Sequence, residues 1–133
     1  MKYLCSGIEG ADFQIPRLGI GTIGAGSSET ATENSIKERL DSFALALDFG
    51  ANFFDVGEDY EGGFTEEILG RFAKGQRHKL ILATKFTPQN AGYEDLLRAA
   101  EGSLRRMQTE YLDIYQMHWP NPSIPLDETI AAL

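Results

Sequence analysis

Leu80-Ile81-Leu82-Ala83-Thr84-Lys85 runs through four apolar residues before its first polar side chain. A strand with one face in water alternates apolar and polar residues; a continuous apolar run is the pattern of a strand covered on both faces, as in a parallel sheet. Ala51-Asn52-Phe53-Phe54-Asp55 is nearly as continuous. Two further short runs, Arg17-Leu18-Gly19-Ile20-Gly21-Thr22 and Tyr111-Leu112-Asp113-Ile114-Tyr115-Gln116-Met117-His118, complete a series. Their starts lie about 30 residues apart, the length of one strand-plus-helix unit.

The segments between the runs read as helices. After Ser35, the residues Ile36, Leu40, Phe43, Ala44 and Leu47 share one helical face, and Gly50 stands where a left-handed residue closes a helix. Thr65 is expected to N-cap a second helix, with Glu66 and Glu67 facing its positive dipole end, Ile68, Leu69 and Phe72 as its apolar stripe, and Gly75 as its stop. The third carries Leu96, Leu97, Ala100, Leu104 and Met107, with Asp95 early and Arg105 and Arg106 late. Gly102 inside it costs about 1 kcal/mol against Ala, which weakens that boundary. A fourth helix is expected from Asp127, and the sequence reaches Leu133 inside it without a C-cap signal. Met1 to Pro16 reads as a short hairpin with turns at Gly7 and Gly10. Alternating strands and helices of this length predict an α/β fold with a parallel sheet, as one domain over residues 1–133 without linker or low-complexity tract.

Composition removes several classes of function. The chain has 133 residues and a net charge of −8, from 20 Asp and Glu against 12 Lys and Arg. That balance argues against nucleic acid or an anionic membrane as the main partner. With 42% hydrophobic and 11% aromatic residues it can bury a core, which excludes intrinsic disorder. No apolar run approaches the ~20 residues of a bilayer span, and the first residues lack the apolar stretch of a signal peptide. Its one cysteine, Cys5, cannot form an internal disulfide and fits a reducing compartment, so a cytoplasmic location is expected.

In barrels and open α/β sheets, function gathers at the C-terminal ends of the strands. Asp55 ends the second run, Lys85 the third and His118 the fourth, and Tyr60 follows Asp55 in a loop made flexible by Gly57, Gly62 and Gly63. Each has a plain alternative. Asp55 can close an Asx-turn, Tyr60 can cover the core, Lys85 can snorkel into water, and His118 can be a packed structural residue before Trp119-Pro120. All four fall on one rim, and that coincidence favours chemistry. His78, before a strand, lies at the opposite edge and reads as surface.

A tyrosine phenol is a poor acid at neutral pH. A lysine ammonium beside it stabilises the phenolate it leaves, an aspartate keeps the ammonium oriented, and a histidine can donate a second hydrogen bond to a substrate oxygen. Such a site polarises a carbonyl and protonates its oxygen as negative charge develops. The hydride that reduction also needs comes from no side chain, so a nicotinamide cofactor is implied. The string around Gly19, Gly21 and Gly24 is G-x-G-x-x-G-like, but no helix opens directly after it, so the dinucleotide fingerprint of an open sheet is not met. No Cys/His spacing suggests a metal, and no G-x-S-x-G supports a hydrolase.

The stretch Leu47 to Gly63, with Asp55 and Tyr60, resembles the corresponding segment of the aldo-keto reductases. Ala83-Thr84-Lys85 is similar to their Lys motif, and Ser103-Leu104-Arg105-Arg106-Met107, Tyr111-Leu112-Asp113 and His118-Trp119-Pro120 are similar to their His motif. Arg17 to Thr22 resembles their first barrel strand. The resemblance implies a (β/α)8 barrel, NADPH and reversible reduction of aldehydes and ketones to alcohols. It makes Tyr60 the general acid, tuned by Lys85 and Asp55, with His118 orienting the carbonyl. It places Gly21, Thr22 and Asp55 near the nicotinamide end of the cofactor, and Ile23, His118 and Trp119 along the substrate pocket.

Two departures stand out. Val56 and Gly57 occupy positions where the family usually has Thr or Ser and then Ala, so a hydroxyl is lost beside the site. The chain also holds about four βα units where the barrel needs eight; the later loops, which in this family bind the pyrophosphate and the 2′-phosphate, would lie elsewhere. A half barrel leaves open strand edges and an apolar interior. The expectation is therefore the N-terminal half of a longer reductase, with little turnover alone. The alternatives are a half-chain that pairs with another chain or with a second copy of itself, and a non-catalytic binding or regulatory protein on the same half-barrel.

Overall fold

Four parallel strands in sequence order form the sheet that carries the site: β3 (Ile20–Gly21), β4 (Phe53–Asp55), β5 (Ile81–Phe86) and β6 (Ile114–Met117). The computed structural model describes residues 3–4, 14–24 and 26–133. Helices α1 (Glu33–Asp48), α2 (Phe64–Ala73) and α3 (Tyr93–Met107) connect successive strands, and α4 (Leu126–Ala132) follows β6. The register pairs Gly21 with Asp55, Asp55 with Ala83 and Lys85 with Gln116. An antiparallel pair, β1 (Tyr3–Leu4) with β2 (Ile15–Pro16), precedes the sheet as the expected hairpin. Its turns at Gly7 and Gly10, and Cys5, lie outside the described residues. The four expected strand runs each overlap one observed strand, the third extending one residue past its run to Phe86, and the α/β half-barrel order of four βα units follows. Among the described residues, no helix is long and apolar enough to cross a membrane.

Strand alternation sorts the side chains. On β5, Leu82, Thr84 and Phe86 turn toward the helices and are fully buried, while Lys85 lies on the other face. The main core joins Phe43 of α1, Phe54 and Val56, and Ile68, Leu69 and Phe72 of α2 to Leu82 and Met107; a smaller cluster of Phe86, Ala91, Leu96 and Ala99 sits under α3. Phe43, Phe54 and Phe72 meet at ring centroid distances of 5.3–5.5 Å in tilted and edge-on contacts. Val56 is fully buried in this core. The hydroxyl expected to be missing beside the site would therefore have pointed into the core; only the Val56 carbonyl reaches the site.

The helix boundaries correct the sequence reading in detail. Helix α1 starts earlier than Ser35, because Thr32 and Ser35 form a reciprocal capping box. Helix α2 starts after Gly63 rather than at Thr65. Gly63 takes a left-handed φ of 91°, which turns the chain into the helix, and Thr65 is buried one position inside it. Helix α3 runs unbroken through Gly102. Its buried residues are Leu96, Ala99, Gly102, Ser103 and Met107, while Leu97 is exposed. The buried face differs from the expected one because it includes small residues, Ala99, Gly102 and Ser103, that carry little apolar signal. A Cβ on Gly70 of α2 would lie 2.6 Å from the Met107 carbonyl oxygen, so the two helices approach backbone to backbone there.

Candidate active site

The centre of the site is set by β4 and β5, where alternation puts Asp55 and Lys85 side by side on the face away from the helices. Lys85 Nζ donates to Asp55 Oδ2 at 2.8 Å, to the Val56 carbonyl at 2.8 Å and to the Tyr60 hydroxyl oxygen at 3.3 Å. These three acceptors match the three donors of an ammonium, which fixes its direction. The Lys85 side chain is 14% exposed and that of Asp55 36%, so the pair opens toward solvent on the Asp55 side. Neither the snorkelling alternative for Lys85 nor the Asx-turn alternative for Asp55 describes this arrangement.

Tyr60 begins a tight turn, Tyr60–Gly63, with its N–H bonded to the Gly57 carbonyl at 3.1 Å. Gly57 makes room for the ring: a Cβ there would sit 3.0 Å from Tyr60 Cε1 and 2.9 Å from Asp59 Oδ1. Gly62 and Gly63 supply left-handed backbone at φ 67° and 91°. These glycines build a defined turn rather than the flexible loop expected from their number. Tyr60 also packs on the main core, so its core-covering reading holds alongside its contact with Lys85.

His118 follows β6 directly, and its N–H donates to the Phe86 carbonyl at 3.0 Å. Its ring meets Tyr60 edge-on at 5.6 Å and stacks on Trp119 at 5.5 Å. Nδ1 is buried and lies 3.4 Å from Asp59 Oδ1, too poorly aligned for a hydrogen bond. His78 is exposed, as read from the sequence.

On the other flank, Gly21 pairs with Asp55, and among the described residues a Cβ on it would meet nothing within 4 Å. This leaves open space beside the Asp55–Lys85 pair. Thr22, expected near a cofactor, is fully buried. Its hydroxyl and its N–H both donate to the Asp55 carbonyl, at 2.8 and 3.2 Å. Its side chain therefore holds the Asp55 backbone at the end of β4. Ile23 and Trp119 are 68% and 65% exposed, on the loops after the two outer strands β3 and β6.

Two acidic residues around Tyr60 were missed. Glu58 donates its N–H to the Lys85 carbonyl, while its Oε1 accepts from Thr87 N at 2.6 Å and Asn90 Nδ2 at 2.7 Å. It joins the loop after β4 to the loop after β5. Glu61 reaches back to the loop after β3, bonding Gly24 N at 2.7 Å. The available signal was the crowding of Glu58, Asp59 and Glu61 around one tyrosine in a glycine-rich segment. A second tyrosine, Tyr115, contrasts with Tyr60. Its hydroxyl is buried without a hydrogen-bond partner among the described residues, and burial, then the charges of Glu58 and Glu66, push its ionisation well above the usual phenol range.

Comparison with known proteins bears on the same residues. The model of the aldo/keto reductase family matches residues 17–133. Methylglyoxal reductase YeaE of Escherichia coli is 35% identical over 124 residues, covering 92% of this chain and 41% of that protein. The thermostable aldo-keto reductase Tm1743 superposes with a TM-score of 0.88 at 40% identity, covering 99% of this chain and 48% of its own. An aldo-keto reductase from Klebsiella pneumoniae, solved in complex with NADPH, gives a TM-score of 0.82 at 35% identity over 90% of this chain and 40% of its own. The chain thus spans less than half the length of these relatives, as four of eight βα units would. The family match takes in every strand of the parallel sheet and all four residues at its rim, and the chain belongs to the aldo/keto reductase family.

Proposed function

We propose that these residues form the catalytic half of an NAD(P)H-dependent reductase that converts aldehydes and ketones to alcohols. The observation that carries this reading is the three-way contact of Lys85 Nζ with Asp55, the Val56 carbonyl and the Tyr60 hydroxyl. Tyr60 donates its proton to the carbonyl oxygen as the carbonyl carbon is reduced. The ammonium at 3.3 Å then stabilises the negative charge left on the phenol oxygen. Asp55 and the Val56 carbonyl hold the ammonium in that position, and Thr22 holds Asp55. His118, whose Nδ1 is buried, is left with Nε2 to orient the substrate oxygen.

The fit of a nicotinamide cofactor rests on the open space at Gly21 beside the half-exposed Asp55, where a side chain would intrude. Gly21 and Asp55 are the residues that would hold its nicotinamide end, and when bound it supplies the hydride. Ile23 and Trp119 would line the substrate pocket from opposite flanks. The substrate is a small carbonyl compound, and methylglyoxal is the first to try, given the named activity of the E. coli relative. Residues 1–133 act as the front of a single barrel domain in the cytoplasm. Its closing strands come from the rest of a longer chain, or else from a second copy.

The test is NADPH fluorescence and NADPH oxidation with methylglyoxal, on fractions of known mass. The complete protein is expected to bind and turn over, and residues 1–133 alone to do neither. Full turnover by a monomer of residues 1–133 would overturn the half-barrel reading. No turnover by the complete protein on any aldehyde would leave the non-catalytic reading in place.

A further inference from the structure

Glu61 holds an unusual position for a charged residue. Its backbone lies in the left-handed region at φ 50° and ψ 38°, which residues other than glycine adopt at a cost. Both carboxylate oxygens are engaged: Oε1 accepts from Gly24 N at 2.7 Å, and Oε2 accepts from the Thr65 hydroxyl. The first bond crosses 37 residues of sequence, from the turn that begins with Tyr60 to the loop after β3. Among the described residues, the part of that loop next to β3 is also held at the Thr22 and Gly24 carbonyls and through the Thr22 side chain. Arg39 donates to the Thr22 and Gly24 carbonyls at 3.4 and 2.9 Å, and Thr22 is bonded to Asp55. Between Thr22 and Gly24 stands Ile23, an apolar side chain 68% exposed at the mouth of the site. A charged acceptor on a backbone N–H makes a stronger bond than a neutral one, and here it fixes the residue next to Ile23.

We propose that Glu61 is a positioning residue that clasps the loop after β3 to the turn carrying Tyr60, and so sets how Ile23 meets the substrate. The left-handed backbone aims the carboxylate across the gap, and the cost of that conformation is offset by the two hydrogen bonds. The substrates most affected are bulky apolar carbonyl compounds, which reach Ile23; small ones pass beneath it. This deepens the carbonyl-reducing reading of the same site and rests on it for the substrate half.

Three variants of the complete protein separate the clasp from the backbone effect. Glu61→Gln keeps an acceptor for Gly24 N, Glu61→Ala removes it, and Glu61→Gly removes it while relaxing the backbone. The first readout, amide hydrogen exchange at Gly24, needs no activity. Exchange is expected to be slow in the native protein and in Glu61→Gln, and about tenfold or more faster in Glu61→Ala and Glu61→Gly, as loss of one charge-assisted bond implies. The second readout is steady-state kinetics with benzaldehyde and methylglyoxal. Glu61→Ala is expected to raise KM for benzaldehyde about tenfold with kcat within about twofold, to leave methylglyoxal nearly unchanged, and to be rescued by Glu61→Gln. Equal Gly24 exchange in the native protein and Glu61→Ala overturns the clasp. Faster exchange with unchanged benzaldehyde KM overturns the positioning role. A native protein that reduces neither aldehyde overturns the reductase reading instead, and the exchange result then decides the clasp by itself.

Discussion

Adjacent residues of β5 serve two ion pairs of opposite character. Thr84 faces the helices and donates to Glu66 Oε1 at 2.6 Å, while Arg106 of α3 donates to Glu66 Oε2 at 2.6 Å. Lys85 faces the other way and meets Asp55 at 2.8 Å. Glu66 is wholly buried with both oxygens engaged. Asp55 is more than a third exposed, and its partner also touches a phenol, a group with a proton to give. The chemistry of a carboxylate beside a cation is the same in both. What separates structure from function is whether the pair is closed by its neighbours or left facing a space that a reactant can enter.

The contrast fails if the two pairs respond alike to the loss of one partner. Glu66→Ala is expected to have the largest effect on folding, about 3–5 kcal/mol, because it strands the Arg106 guanidinium and the buried Thr84 hydroxyl. Denaturant unfolding measures it. Lys85→Met is expected to cost under about 1 kcal/mol, since water can reach Asp55, yet to lower turnover of the complete protein about a hundredfold or more. Equal stability losses would remove the distinction. The smallest effect is expected from Gly57→Ala, whose Cβ would press on the Tyr60 ring at 3.0 Å. A shift of a few tenths of an ångström there should lower turnover a few-fold and leave the melting temperature nearly unchanged. Unchanged turnover would mean the ring has slack.

Legibility in the sequence followed the same division. The strands were readable because β4 and β5 are apolar on both faces, and the rim residues were readable because strand ends place them. Asp55, Tyr60, Lys85 and His118 converge as spacing and family resemblance implied. The pair under the helices was not readable. Glu66 has the sequence position of a residue facing a helix dipole, and only the approach of α3 shows it buried against Arg106. That approach brings the Met107 backbone against Gly70, and the buried face of α3 includes the small residues Ala99, Gly102 and Ser103, which carry little apolar signal, so the exposed Leu97 reads from the sequence as part of the buried side. Thr65 departs from its expected capping role for a related reason. A threonine hydroxyl suits a cap, a ligand or a buried backbone carbonyl equally well, and which it meets is decided by the fold.

The central claim is that Tyr60 supplies the proton, with Lys85 stabilising the charge it leaves. The most direct measurement is turnover of the complete protein carrying Tyr60→Phe, with NADPH binding followed by fluorescence in the same sample. The account predicts that carbonyl reduction is lost while the cofactor still binds, since the phenol oxygen is the one atom removed. Reduction at or near the native rate would contradict it and take Tyr60 out of the acid role.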